Sequence, residues 1–120
     1  MFSALPPEIL AALTAEGVER TFQAGEFVVR EGDPGDELFV ILEGEARVER
    51  NGNRLATFGE GEFFGELSVF DGRARSADVV AATSLRTLAI SRELVRAALE
   101  REPHAAWAML ETLAARFRDD

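Results

Sequence analysis

Between Val18 and Ser91 the chain is cut into short apolar segments by glycine-bearing turns, and this punctuation limits the fold more than any other feature. Segments rich in Val, Phe, Leu and Ile alternate with "AGE", "EGDPGDE", "LEGE", "RNGN" and "FGEGEFFGE". About seven or eight segments result, the clearest being Phe27 to Glu31, Glu37 to Gly44, Glu45 to Arg50, Arg54 to Phe58, Ala77 to Thr83 and Leu85 to Ser91. Asn51-Gly52, between alternating flanks in "VERNGNRLATF", is a type I′ hairpin signal. Many short strands at regular turn spacing predict an antiparallel sandwich or roll and argue against a parallel sheet with crossover helices. Most of the nine phenylalanines fall in this region, as a core requires.

On either side the period lengthens. Met1 to Gly17 reads as a short helix, with Pro6 and Pro7 suited to its first turn, Ile9, Leu10 and Leu13 on one face, and Gly17 as its stop. "SRELVRAALERE" predicts a helix with Leu94, Val95, Ala98 and Leu99 on one face, and Pro103 opens a second. That second helix places Trp107, Leu110, Leu113, Ala114 and Phe117 at helical spacing. The stripe has two readings: packing onto the body of the protein, or a face for a partner, a second copy included.

At 120 residues and 13.1 kDa the chain is the size of one domain. The expected division is 1–17 for the N-terminal helix, 18–91 for the roll and 92–120 for the C-terminal helices. A formal charge of −9 opposes generic binding to DNA, RNA or an anionic membrane surface. The absence of cysteine excludes disulfides and thiolate chemistry. The opening "MFSALPPEIL" lacks a basic leader region and no apolar run approaches the ~18 residues of a membrane helix, so the expected setting is cytoplasmic.

Catalysis is poorly served. His104, the only histidine, follows Pro103 at a helix start, where a surface or capping role outweighs that of a base. Ser68 lies in "GELSVF", which lacks the spacing of a nucleophile elbow. Asp33, Asp36 and Glu37 do not follow the ligand order of a calcium loop, and a turn between strands accounts for them; no metal site is expected. Gly59, Gly61 and Gly65 miss the dinucleotide fingerprint by one position and lack its strand and helix context.

The stretch "FFGELSVFDGRARSADVVAA", Phe63 to Ala82, fits a small phosphate ester better than any of these. Gly65 allows backbone to approach a ligand closely, and "GELSVF" is compatible with a helical turn whose free N–H groups face an anion. Arg75 carries a planar donor fork that matches two phosphate oxygens, and Ser76 adds a hydroxyl. Glu66 is an acceptor only, unsuited to phosphate and suited to a sugar hydroxyl. On spacing alone the competing reading stands level: Arg75 pairs with Glu66 or a neighbouring acid and merely pins the loop.

Gly65 to Val79, "GELSVFDGRARSADV", resembles without gap or insertion the phosphate-binding cassette of the cyclic nucleotide-binding domain family, found in catabolite-activator-type regulators and kinase regulatory subunits. Ala24 to Val48 is similar to that family's first hairpins, and Ala56 to Glu66 to the run that enters the cassette. The resemblance implies an antiparallel eight-stranded β-roll, jelly-roll-like, with a short N-terminal helix and two C-terminal helices. It implies that Glu66 accepts from a ribose 2′-hydroxyl, that Arg75 pairs with the cyclic phosphate while Ser76 donates to it, and that amides around Gly65, Leu67 and Ala77 complete the cradle. Arg73 takes no role and is expected at the surface.

Two departures stand out. Ala74 replaces a proline common in the family, and Asp78 brings a negative charge to the phosphate loop unless strand alternation turns it outward. DNA-binding relatives continue into a long dimerising helix and a helix-turn-helix, whereas this sequence stops at "ARFRDD". That predicts no nucleic acid partner and a short or absent lid over the base. The expectation is a non-enzymatic receptor without cofactor or metal, taking cyclic AMP in preference to cyclic GMP and moving its C-terminal helices to control a protein partner or a second copy. The alternative is a scaffold of the same fold that no longer binds ligand and serves as an interaction module.

Overall fold

The computed structural model describes residues 7–118. Eight strands form two antiparallel four-stranded sheets, ordered β1-β8-β3-β6 and β2-β7-β4-β5. The strands are β1 (Val18–Phe22), β2 (Phe27–Val29), β3 (Glu37–Glu43), β4 (Ala46–Arg50), β5 (Asn53–Phe58), β6 (Phe63–Phe64), β7 (Asp78–Ala81) and β8 (Leu85–Ser91). Helices α1 (Pro7–Thr14), α2 (Glu66–Asp71), α3 (Arg92–Arg101) and α4 (Pro103–Arg118) complete the chain. This is the antiparallel roll with flanking helices that the punctuation predicts. Pro7 opens α1 as expected, while Met1 to Pro6 and the Ile9 side chain lie outside what is described.

Local chemistry explains the borders. The β4–β5 hairpin turns on Asn51 and Gly52, both at positive φ (54° and 79°), the pair of left-handed residues that a type I′ turn needs. Helix α3 starts where the Ser91 hydroxyl accepts from Leu94 N at 3.2 Å, an N-cap. Strand β6 was not read from the sequence as a strand: it has only two residues, too few for any period to show.

Two apolar clusters hold the layers together. Phe39, Ile41, Phe58, Phe64, Val79 and Leu85 fill the space between the sheets. Leu38, Val40, Phe63 and Ile90 point the opposite way from the first sheet and meet Leu13, Val95 and Met109 of the helices. The alternation along β3 thus feeds both clusters from one strand. Not every phenylalanine is core: Phe27, Phe70 and Phe117 are exposed, and Phe27 instead carries the Arg30 guanidinium over its ring at 3.9 Å.

The stripe read on α4 turns the other way. Leu113 packs on the core, but Trp107, Leu110 and Phe117 are 65%, 57% and 59% exposed. The buried side is Ala105, Met109 and Thr112. Apolar residues occupy both faces of "PHAAWAMLETLAARF", so the sequence offered two stripes, and the one carrying the larger side chains faces solvent. Among the described residues no helix is long and apolar enough to cross a membrane.

Candidate functional site

A cleft of about 720 Å³ opens against the sheet β2-β7-β4-β5, walled by the segment from Gly65 to Ala77 and by the end of α4. All six residues singled out from the sequence, Gly65, Glu66, Leu67, Arg75, Ser76 and Ala77, line it. Among the described charged residues that line it, three arginines, Arg50, Arg75 and Arg116, stand against one glutamate, Glu66. A chain of net charge −9 therefore gathers positive charge at this one concavity.

Arg75 is held by backbone. Its N–H donates to Asp33 O and its carbonyl accepts from Gly32 N, each at 2.9 Å, so the loop between β2 and β3 grips the residue from outside. Its side chain is 7% exposed, with Nη1 donating to Gly65 O at 3.2 Å and Nη2 to Glu37 O at 2.9 Å. The guanidinium lies over Phe39, 5.9 Å from the ring centroid, and Phe39 stacks on Phe64. Burial pushes the Arg75 pKa below the usual arginine value, opposed by the charges of Glu37, Asp36 and Glu66. Two carbonyls do not exhaust a guanidinium's donors, so a buried cation with spare N–H groups borders the cleft. Arg75 does pin the loop, as the competing reading supposed, but its acceptors are carbonyl oxygens and not the Glu66 carboxylate.

Gly65 makes this packing possible. It caps α2 at φ 85°, and a β-carbon there would meet Arg75 Nη1 at 2.8 Å and Glu37 O at 2.9 Å. Helix α2 begins at once with Glu66 and is closed by Gly72 as its C-cap, and its Ser68 and Val69 are buried.

Glu66 has another partner. Arg116, in the last turn of α4, places Nη1 3.2 Å from Glu66 Oε2, with both side chains nearly buried. The same guanidinium lies over Phe63 at 3.9 Å and Phe58 at 4.7 Å. The sequence reading missed Arg116 and expected a short or absent lid; instead Arg116 and Phe117 wall the cleft. A signal existed, because Arg116 continues the buried spacing Ala105, Met109, Thr112, and a charge on a buried face demands a partner. Arg50 was also missed: from β4 its Nε donates to Ser76 O at 2.9 Å and ties the cassette to the sheet.

The departure at Asp78 resolves simply. Asp78 does not line the cleft, since it alternates with Ala77 and Val79, which do. Its Oδ1 accepts from Glu31 N at 2.7 Å and fastens the loop after β2. Arg73 is exposed, as expected, and its N–H is taken by Asp71 Oδ1. His104 is exposed, and no cluster of three or more acidic or histidine ligands occurs among the described residues.

A buried cation on a glycine-capped turn, in a cleft against a β-roll, defines a binding domain for a small anion. The chain belongs to the cyclic nucleotide-binding domain family, which it matches over residues 19–102. It is 32% identical over 123 residues to a CRP-like cAMP-activated global transcriptional regulator of Mycobacterium tuberculosis, a match covering 98% of this chain and 55% of that protein. It is 36% identical over 83 residues to a cGMP-dependent protein kinase of Caenorhabditis briggsae, covering 69% of this chain and 11% of the kinase. The catabolite activator protein of Thermus thermophilus superposes with a TM-score of 0.84 at 32% identity, covering 96% of this chain and 56% of that one. The chain thus spans little more than half of the regulators it resembles.

Proposed function

We propose that this chain is a receptor domain for a cyclic nucleotide, acting without chemistry of its own and favouring cyclic AMP. The observation that carries the reading is the convergence of Gly65, Glu66, Leu67, Arg75, Ser76 and Ala77 on one cleft with a surplus of arginine. In this reading Arg75 and Ser76 take the cyclic phosphate and the amides near Gly65, Leu67 and Ala77 surround it. Glu66 accepts from the ribose, and the apolar wall of Val48, Leu55 and Ala56 offers the base a surface. Preference for cyclic AMP draws support from the mycobacterial relative, and the kinase relative makes cyclic GMP the ligand to compare.

The output runs through α4. Because Arg116 and Phe117 wall the same cleft as the cassette, a ligand touches both and favours the α4 position that gives it the better contacts. The exposed face at Trp107 and Leu110 then meets a protein partner, with a second copy the first to test.

The scaffold alternative has one observation in its favour: Glu66 already has an internal partner in Arg116. A calorimetric titration with cyclic AMP and cyclic GMP decides. Saturation at ~100 times Kd stabilises the folded state by about 2.7 kcal/mol, a clear thermal shift. No heat and no shift with either ligand at millimolar concentration would establish the scaffold reading instead.

A further inference from the structure

Among the described residues Arg116 makes a single ion pair, at 3.2 Å to Glu66 Oε2, and the two side chains are only 11% and 12% exposed. Its Nε and Nη2 are buried with no acceptor among the described residues, covered by the faces of Phe58 and Phe63. Burying two donors without acceptors is costly, and a ring face returns only part of what water would give. The contact is therefore specific in position yet weakly held. It also shields Glu66, the one carboxylate among the described residues that line the cleft.

We propose that Arg116 is an internal competitor for Glu66: in the empty protein it occupies the carboxylate that a sugar hydroxyl must reach, and a ligand carrying that hydroxyl displaces it and frees the last turn of α4. The inference rests on the receptor reading above. A hydroxyl donor satisfies Glu66 without burying a second charge, and the released guanidinium recovers water on Nε and Nη2. These gains make the exchange possible, but the ion pair that is broken offsets them. In the wild type the hydroxyl therefore adds less affinity than it would at an uncontested carboxylate, and a ligand without the hydroxyl leaves the pair in place. Arg116 thus sets how strongly the site distinguishes a ribose from a deoxyribose.

The test compares the affinities of cyclic AMP and 2′-deoxy cyclic AMP in the wild type and in Arg116→Met, which keeps an apolar stem over Phe63. Taking the ratio of the two ligands cancels the loss of a positive charge near the phosphate, which affects both alike. The penalty for removing the hydroxyl should be about tenfold larger in Arg116→Met than in the wild type, because Glu66 is then uncontested. An equal or smaller penalty, with binding retained, overturns the competitor and leaves the receptor reading standing. If neither protein binds either ligand, the receptor reading falls and this inference with it. Should Arg116→Met not fold, hydrogen exchange of the wild type answers the same question. Cyclic AMP at saturation should speed exchange of amides 112–118 and the deoxy analogue should not, whereas equal or greater protection with cyclic AMP refutes displacement.

Discussion

Gly35 leaves the space that the Arg75 guanidinium fills: a β-carbon at Gly35 would overlap Nε, Cζ and Cδ of Arg75. The turn between β2 and β3 therefore shapes the cleft from behind. Arg75 cannot retreat readily, since Gly65 O and Glu37 O fix the far end of its fork.

Gly35→Ala should therefore weaken cyclic nucleotide binding about tenfold by tilting Arg75, and should cost ~1–3 kcal/mol of stability, because the guanidinium that must move is held by two carbonyls. Titration and thermal melting of one preparation check this. Unchanged affinity would show that the arginine's position is not what the ligand reads.

Arg75→Ala should damage both quantities. Losing a charge-assisted contact to phosphate costs ~2–5 kcal/mol of binding, roughly 30- to several-thousand-fold. Two carbonyls lose their donor in a nearly buried place, so the unliganded melting temperature should fall by about 5 °C or more. A lower melting temperature with affinity intact would assign Arg75 to the fold alone.

Asp78→Ala isolates the opposite behaviour. It removes the acceptor for Glu31 N and should cost ~0.5–1.5 kcal/mol in denaturant unfolding. Since Asp78 does not line the cleft, affinity should change by about twofold or less. A large gain in affinity would mean that its charge does reach the phosphate.

The α4 face gives a test of assembly. Leu110 is 57% exposed, so Leu110→Glu should leave the melting temperature within a few degrees of wild type. If the face at Trp107 and Leu110 joins two copies, sedimentation should show a dimer for the wild type and a monomer for this variant. A wild type that stays monomeric at high concentration, with ligand present, would assign the face to a different protein.

Nucleic acid offers a fifth contrast. With a net charge of −9 and its clustered arginines turned into a cleft, the 120-residue chain should not shift duplex DNA at low salt, with or without cyclic nucleotide. Salt-sensitive retention of DNA by this chain would contradict that.

How far the sequence could be read depended on the range of the interaction. Turn chemistry is local, so Asn51-Gly52 stood in the sequence as it stands in the structure. The cassette was legible for the same reason, its six residues lying within a single loop, helix and strand entry. Arg116 was not, because its significance comes from Glu66, fifty positions earlier, and from two phenylalanines on other strands. Arg75 lay between: the sequence marked the residue, while the carbonyls that hold it come from Gly65 and Glu37 and carry no side-chain signature. The α4 stripe stayed undecided in the sequence because amphipathic spacing identifies two apolar faces there without ranking them.

The place of β8 between β1 and β3 has a consequence for how the protein is made. Neither β1 nor β3 can find that partner until Leu85–Ser91 has left the ribosome. At roughly 5–20 residues per second, β1 waits several seconds for it. In that interval β3, with Leu38 to Ile41 ready for burial, is an apolar edge open to any neighbouring chain. A nascent chain halted before Leu85 would be expected to aggregate and retain no partial binding, so cellular yield should depend on how quickly this one late strand is delivered.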